Sequence, residues 1–181
     1  MPLKAPGLYK LARQELGPSL TALGFKRTPK ASVASWCRPE GERWLVFWFQ
    51  PSTDNDPWSP GYRFTVEFSL TEKPAVYTGR YRKRLAKLLT DNERDELRQM
   101  ENRTIAKLPP PDMPFANGLP PSMREHWLAG WKPRTTPYGP TEDVWFRHGD
   151  EADAEELMRF LRRVMPAAIS KFLDSGAPES R

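Results

Sequence analysis

Residues 62–70 form the pattern that most restricts what this chain can fold into, because apolar and polar side chains alternate there without a break. The apolar positions are Tyr62, Phe64, Val66, Phe68 and Leu70, and the polar positions between them are Arg63, Thr65, Glu67 and Ser69. This period of two predicts a β-strand, since successive side chains of a strand point to opposite faces of the sheet. One face should therefore belong to the core, and the other should meet water or a ligand.

Three further segments predict strands that can join this one. Residues 43–50 contain six consecutive apolar residues, so both faces of that strand should be covered, or one face should be used for binding. Residues 33–38 form a weaker strand, and the Pro-Glu-Gly turn at 39–41 predicts a hairpin between these two strands. Residues 143–147 predict a last, short strand.

The N-terminal and middle helices are predicted from apolar spacing. Leucines at helical spacing between residues 8 and 23 predict a helix that Pro18 should kink or break near Gly17. A short helix is predicted at 81–89, and a helical turn at 122–128 within a segment rich in proline and glycine.

Two longer helices have clear start signals. Thr90 and Glu93 fit a capping box at the start of a polar helix over 91–108. Asp150 can cap a final helix whose apolar stripe is interrupted by Pro166. Together the segments predict an α+β fold, with an antiparallel sheet of about four strands packed with N-terminal, middle and C-terminal helices.

The bulk composition fits one ordered domain. With 181 residues and a hydrophobic fraction of 38%, the chain can bury one core, so we expect a single domain at 1–174 and a flexible tail at 175–181. The single cysteine, Cys37, excludes an intrachain disulfide, and no apolar run is long enough to cross a membrane. Residues 1–7 lack the apolar core of a signal peptide, so we expect a cytoplasmic bacterial protein.

The sequence contains no motif for a metal, a cofactor or an activated nucleophile. His126, His148 and Cys37 are not at ligand spacing, and no glycine-rich phosphate loop is present. Folding could bring Cys37 to one of the histidines, but a small buried residue is the simpler interpretation of this cysteine. We therefore predict no metal, no cofactor and no catalytic residue.

The two aromatic strands place four candidate binding residues on one face of the sheet. If the phenylalanines of 43–50 and 62–70 face the core, then Trp44, Trp48, Arg63 and Glu67 face the other way. Indoles beside charged groups are typical of a binding surface. The alternative is a covered second core, with Trp127 or Trp131 packed on the two indoles.

A basic cluster follows the alternating strand. It consists of Arg80, Arg82, Lys83, Arg84 and Lys87, interleaved with two tyrosines. Such a cluster can bind phosphate groups or an acidic partner, and tyrosines can stack on bases. The alternative is a solvated face at the start of the predicted 81–89 helix, on which Arg80, Arg84 and Lys87 would share one side.

The order of these elements resembles the DUF4304 domain family of uncharacterised bacterial proteins. The likeness rests on Leu-Gly-Phe-Lys-Arg at 23–27, on Phe49-Gln50 followed by Ser52, on the strand at 64–70, and on Val144-Trp145 before the final helix. The resemblance implies an α+β fold with an antiparallel sheet, implies no catalytic residues, and suggests a link to toxin–immunity systems. The chain departs from the family in its proline-rich segment 107–121 and its basic segment 77–87.

Three function classes follow from these observations. The first is a non-enzymatic binding or regulatory protein that acts through protein–protein contact, of the immunity type. The second is a nucleic-acid-associated protein that uses the basic cluster. The third is an enzyme with a site in a groove formed by Trp44, Trp48, Arg63 and Glu67.

Overall fold

A computed structural model describes residues 3–28, 34–52, 61–74 and 81–175 of the chain. Its sheet contains the strands β1 (Lys26–Arg27), β2 (Ala34–Glu40), β3 (Arg43–Pro51), β4 (Tyr62–Thr71), β5 (Tyr81–Arg84) and β6 (Phe146–His148). Its helices are α1 (Ala5–Glu15), α2 (Gly17–Ala22), α3 (Asp91–Lys107), α4 (Met113–Asn117), α5 (Pro121–Ala129) and α6 (Glu151–Asp174). The predicted α+β class with an antiparallel sheet is confirmed.

The sheet is wider than the four predicted strands. The order is β1-β2-β3-β4-β5, every pairing is antiparallel, and β6 also pairs with β4. On β4, residues 67–70 pair with β5, whereas residues 62–64 pair with β6. Since β3 occupies the opposite side of β4, strands β5 and β6 lie end to end along one edge, with Thr65 and Val66 at the gap between them.

The prediction of a helix at 81–89 is wrong. Residues 81–84 form β5, and only Leu85–Leu88 make a short 3-10 turn. The open edge of β4 offers backbone partners to this segment, and such tertiary pairing overrides a weak local helical preference. The strand predicted at 143–147 is also displaced, since β6 begins only at Phe146.

The helix ends agree with the sequence signals. α1 ends at Glu15 and α2 begins at Gly17, so the break near Pro18 is confirmed. The capping box before α3 is complete, because the Glu93 backbone N–H donates to Thr90 Oγ1 (3.3 Å) and the Thr90 backbone N–H donates to Glu93 Oε2 (2.7 Å).

The final helix is capped but not broken. Asp150 Oδ1 accepts the Asp153 backbone N–H at 2.8 Å, as predicted. α6 runs through Pro166 without interruption, because its buried stripe on both sides of the proline holds it against the core. Of the predicted tail at 175–181, only Ser175 is among the described residues. Val33, at the start of the first predicted strand, also lies outside them.

The core lies between the inner face of the sheet and the helices α1, α2 and α6. Its centre is a group of fully buried residues on β3 and β4: Leu45, Phe47, Phe49, Phe64, Val66 and Phe68. Phe68 packs on Phe172 of α6, with ring centroids 5.8 Å apart, and Tyr9 of α1 packs edge-on against Phe49 at 6.2 Å. The predicted orientation of the two aromatic strands is therefore confirmed.

None of the helices that the structure describes is both long and apolar enough to span a lipid bilayer.

Candidate functional site

The outer face of the sheet carries Trp44, Trp48, Arg63 and Glu67, as the alternation predicts. Trp48 lies directly opposite Glu67 in the register of β3 and β4. Trp48 is only 6% exposed and Trp44 is half-buried, while Thr65 beside them is fully buried. The centre of the outer face is therefore covered, so Trp48 belongs to a second buried layer rather than to an open surface.

Trp145 closes the gap between β5 and β6 on the same face. The guanidinium groups of Arg63 and Arg84 both lie over its ring, with Cζ 5.7 Å and 4.9 Å from the centroid. Arg84 also forms an ion pair with Asp143. Two cations from different strands thus hold one indole by cation–π contacts, which fixes the segment before β6 against the sheet.

Glu67 takes part in the same group of charges. Its side chain is 13% exposed, and Arg82 Nη1 lies 3.7 Å from its Oε1 atom. Burial raises the pKa of Glu67, and the positive charges of Arg82 and Arg84 oppose that rise. Glu67 is consequently a largely buried carboxylate that already has cationic neighbours.

Strand β5 divides the basic cluster between two faces of the sheet. Lys83 lies on the side of α6, where its Nζ donates to Ser175 Oγ at 2.9 Å. Arg82 and Arg84 lie on the outer side with Glu67 and Asp143, and Lys87 is exposed on the following turn. Arg80 lies outside the described residues, and Arg84 and Lys87 do not share a helical face, because Arg84 belongs to β5 and Lys87 to the turn that follows it.

A cavity of about 380 Å³ opens beside this outer face, between α3, α5, β4 and the segment 130–147. Its wall contains four basic side chains, Arg63, Lys132, Arg134 and Arg147, and three acidic ones, Glu101, Glu142 and Asp143. Trp145, Tyr138 and His126 complete its polar and aromatic lining. The volume lies within the range of small-ligand pockets. Of the four predicted outer-face residues, Arg63 reaches this cavity.

Glu101 is the buried carboxylate of the cavity wall. It is 6% exposed, its Oε1 lies 3.1 Å from Arg147 Nε, and its Oε2 accepts the Tyr138 hydroxyl. Burial raises the pKa of Glu101, and the positive charges of Arg147, Arg134 and Arg63 oppose the rise. Arg147 is itself fixed from a second side, because its Nη1 donates to the Gly130 carbonyl at 2.8 Å.

The proline- and glycine-rich segment before β6 is fastened to α3. Asn102 Nδ2 donates to the Arg134 carbonyl (2.9 Å), and the Arg134 backbone N–H donates to Asn102 Oδ1 (2.8 Å). The Arg134 side chain lies over the Tyr138 ring at 4.2 Å and pairs with Glu142 at 3.1 Å. These contacts give the cavity a wall whose shape is fixed before any ligand binds.

The sequence interpretation missed Glu101, Arg134, Tyr138 and Arg147. One signal was available, because Glu101 lies on the buried side of α3 with Leu97 and Ile105, each four residues away. A carboxylate on a buried stripe predicts a cationic partner. No comparable signal marks Arg134 or Tyr138, whose positions depend on how the segment folds back onto α3.

The remaining candidates, Cys37 and His148, are both buried. Cys37 is 3% exposed and burial raises the pKa of its thiol, as for a small core residue. His148 is fully buried between Tyr62 and Phe64, and burial lowers its pKa to about 4. Over the described residues, no three His, Cys, Asp or Glu side chains are grouped to hold a metal ion.

Comparison with known proteins gives no relative for this chain. No family model matches the sequence, no curated protein matches it, and no solved structure matches the fold.

Proposed function

We propose that this chain is a non-enzymatic binding protein, whose site is the cavity between α3, α5 and the segment 130–147 and whose ligand is an acidic segment of a partner protein. The observation that carries the proposal is the convergence of Arg63, Lys132, Arg134 and Arg147 on a cavity of about 380 Å³. Arginine clusters are a common means of recognising acidic motifs, since guanidinium groups match carboxylate geometry.

The fixed wall favours binding. The bonds from Asn102 to Arg134 and from Arg147 to Gly130 hold the arginines in place. A site that is already ordered loses less entropy when a ligand enters.

The state of Glu101 favours binding over catalysis. A general acid or base must reach a substrate proton. Both oxygens of Glu101 are already engaged, by Tyr138 and by Arg147.

The charges favour a protein partner over nucleic acid. Glu142 and Asp143 are about half exposed at the cavity rim, with exposed side-chain fractions of 43% and 57%, where they would repel the closely spaced charges of a phosphate backbone more than one carboxylate of a protein. The basic cluster of β5 is split between two faces, so it does not extend the cavity into a continuous basic strip. An acidic side chain of a protein can bind within the cavity and needs no extended basic surface.

Fluorescence titration with a labelled peptide of alternating glutamate and glycine tests the proposal. We expect saturable binding that weakens with salt, and we expect Lys132→Ala to weaken it by about threefold to tenfold. Lys132 is exposed, so this variant should fold normally. Arg82→Ala is the matched control, because Arg82 is 58% exposed on the same face of the sheet but does not line the cavity.

Two outcomes would contradict the proposal. One is an equal loss of peptide binding in Lys132→Ala and Arg82→Ala, which would indicate diffuse attraction to the net charge of +5. The other is tighter binding of a single-stranded oligonucleotide than of the peptide, which would favour the nucleic-acid hypothesis.

The resemblance to the DUF4304 family suggests where the natural partner should be sought. If the chain is a regulator of the immunity type, the partner should be encoded by a neighbouring gene. Co-purification of that neighbour with the wild-type chain, but not with Lys132→Glu, would identify it. A neighbouring nuclease or helicase would instead favour the nucleic-acid hypothesis.

A further inference from the structure

The buried carboxylate of Glu101 lies in the cavity wall, so its charge affects which anions the cavity can bind. This inference rests on the proposed function, since it concerns the ligand of the same cavity. The lining carries 4 basic and 3 acidic side chains, which gives 4 − 3 = +1 when His126 is neutral. A ligand with one negative charge balances that excess, whereas a ligand with two exceeds it.

The three acids of the wall are not equivalent. Glu142 and Asp143 are 43% and 57% exposed, so water and salt screen their charges. Glu101 is 6% exposed, and a charge in such surroundings acts more strongly on its neighbours than one at the surface. The charge of Glu101 therefore dominates the repulsion that an entering anion meets at the inner end of the cavity.

Glu101 also limits the donors that remain for a ligand. Arg147 forms an ion pair with Glu101 at 3.1 Å and donates from Nη1 to the Gly130 carbonyl, and the Tyr138 hydroxyl donates to Glu101. A phosphate dianion, which has three acceptor oxygens, would need several of these donors at once. A single carboxylate needs only two donors, which the ammonium group of the exposed Lys132 can supply from another part of the wall.

From this arrangement we infer that Glu101 is a specificity determinant, which makes the cavity select a singly charged carboxylate and reject a doubly charged phosphate. The ligand is accordingly a glutamate, an aspartate or a chain-terminal carboxylate of the partner. A phosphorylated side chain is excluded by charge.

The test uses two peptides that differ in one residue, with glutamate or phosphoserine at the central position of an otherwise neutral glycine–serine sequence. The wild-type chain should bind the glutamate peptide more tightly at neutral pH. Glu101→Gln has nearly the same shape and keeps an acceptor for Arg147 or Tyr138, but it removes the charge. We expect this variant to bind the phosphoserine peptide about tenfold more tightly than the wild type does, and to prefer it over glutamate.

Glu156→Gln is the matched control, because Glu156 of α6 has a 43% exposed side chain and does not line the cavity, so the variant removes an equal charge from elsewhere and should change the preference by less than about twofold. A pH series adds a second readout. Because burial raises the pKa of Glu101, acidification should protonate Glu101 at a higher pH than an ordinary glutamate. His126 of α5, Glu142 and Asp143 also face the cavity, so the comparison is the difference between the wild type and Glu101→Gln at each pH.

The outcomes separate the two proposals. If the glutamate peptide binds the wild type and Glu101→Gln leaves the preference unchanged, the specificity inference is overturned and the binding site stands. If neither peptide binds the wild type, the proposed function itself is overturned. If Glu101→Gln fails to fold, as thermal denaturation would reveal, Glu101→Asp serves instead. It keeps the charge and should keep the preference for carboxylate, and a reversal in that variant would contradict the inference.

Discussion

The two faces of the same sheet are built on different principles. The inner face of β3 and β4 consists of phenylalanine, leucine and valine side chains that are fully buried against α1 and α6. The outer face pairs Trp48 with Glu67 and holds Trp145 under Arg63 and Arg84. The inner face depends on packing volume, while the outer face depends on charged groups that come from distant parts of the chain. Substitutions on each face should therefore differ in their effect on stability.

The largest effect should come from the inner face. Phe47 is fully buried, with Trp36 at 5.7 Å and Phe68 at 5.6 Å between ring centroids. We expect Phe47→Ala to lower the free energy of unfolding by about 3–5 kcal/mol, through lost contacts and the cavity left behind. Val46→Ala, on the neighbouring buried position of the outer face, should cost about 1–2 kcal/mol. Urea denaturation measures both, and equal losses would contradict the comparison.

The next effect concerns the buried pair beside the outer face. We expect Arg147→Met to lower the free energy of unfolding by about 3 kcal/mol, because Glu101 would keep a buried charge without its partner. The double variant Arg147→Met with Glu101→Gln should recover part of that loss, since the unpaired charge is gone. A double-mutant cycle gives the interaction free energy between the two residues. A value near zero would mean that the ion pair does not stabilise the cavity wall.

A third prediction tests a polar residue on the inner face. His148 stacks on Tyr62 at 6.0 Å and is fully buried, and its pKa is lowered to about 4 by burial. Well above a pH of about 6.5 the histidine is neutral in both folded and unfolded chains. As the pH falls from about 6.5 to 4, the unfolded chain takes up a proton that the folded chain does not, so stability should fall by up to about 3 kcal/mol.

The variant His148→Phe isolates this contribution. It should be at least as stable as the wild type at pH 7, and it should lose less stability between pH 6.5 and 4. Parallel pH dependence of wild type and variant in chemical denaturation would mean that His148 does not titrate as described.

The smallest effect should come from the exposed end of the outer face. Arg82 lies 3.7 Å from Glu67 but is 58% exposed, so solvent screens the pair. We expect Arg82→Ala to change the free energy of unfolding by less than about 0.5 kcal/mol. A loss of more than 1 kcal/mol would mean that the ion pair stabilises the outer face as much as packing does.

The inner face could be predicted from the sequence, because the alternation in β4 and the aromatic run in β3 determine it locally. The capping residues Thr90 and Asp150 likewise mark the starts of α3 and α6. β5 could not be predicted, because its four residues become a strand only by pairing with the edge of β4. The position of Trp145 follows from that same edge, since it lies in the gap that β5 and β6 leave.

The candidate site was predicted only in part. Arg63 was identified from its place on the outer face, and it does reach the cavity. Arg134 and Tyr138 reach it because Asn102 holds their segment against α3, and a contact between residues so far apart has no local sequence signal. Trp48, a candidate because indoles often bind ligands, is instead buried beneath the outer face.

The most direct test of the central claim is an NMR titration of the wild-type chain with the glutamate–glycine peptide, which maps where the acidic ligand binds. We predict chemical-shift changes at the Trp145 indole N–H and at the backbone amides of Lys132 and Arg134, with the Lys83 and Arg82 amides unchanged. Changes centred on β5, or spread evenly over the basic surface, would contradict a binding site in this cavity.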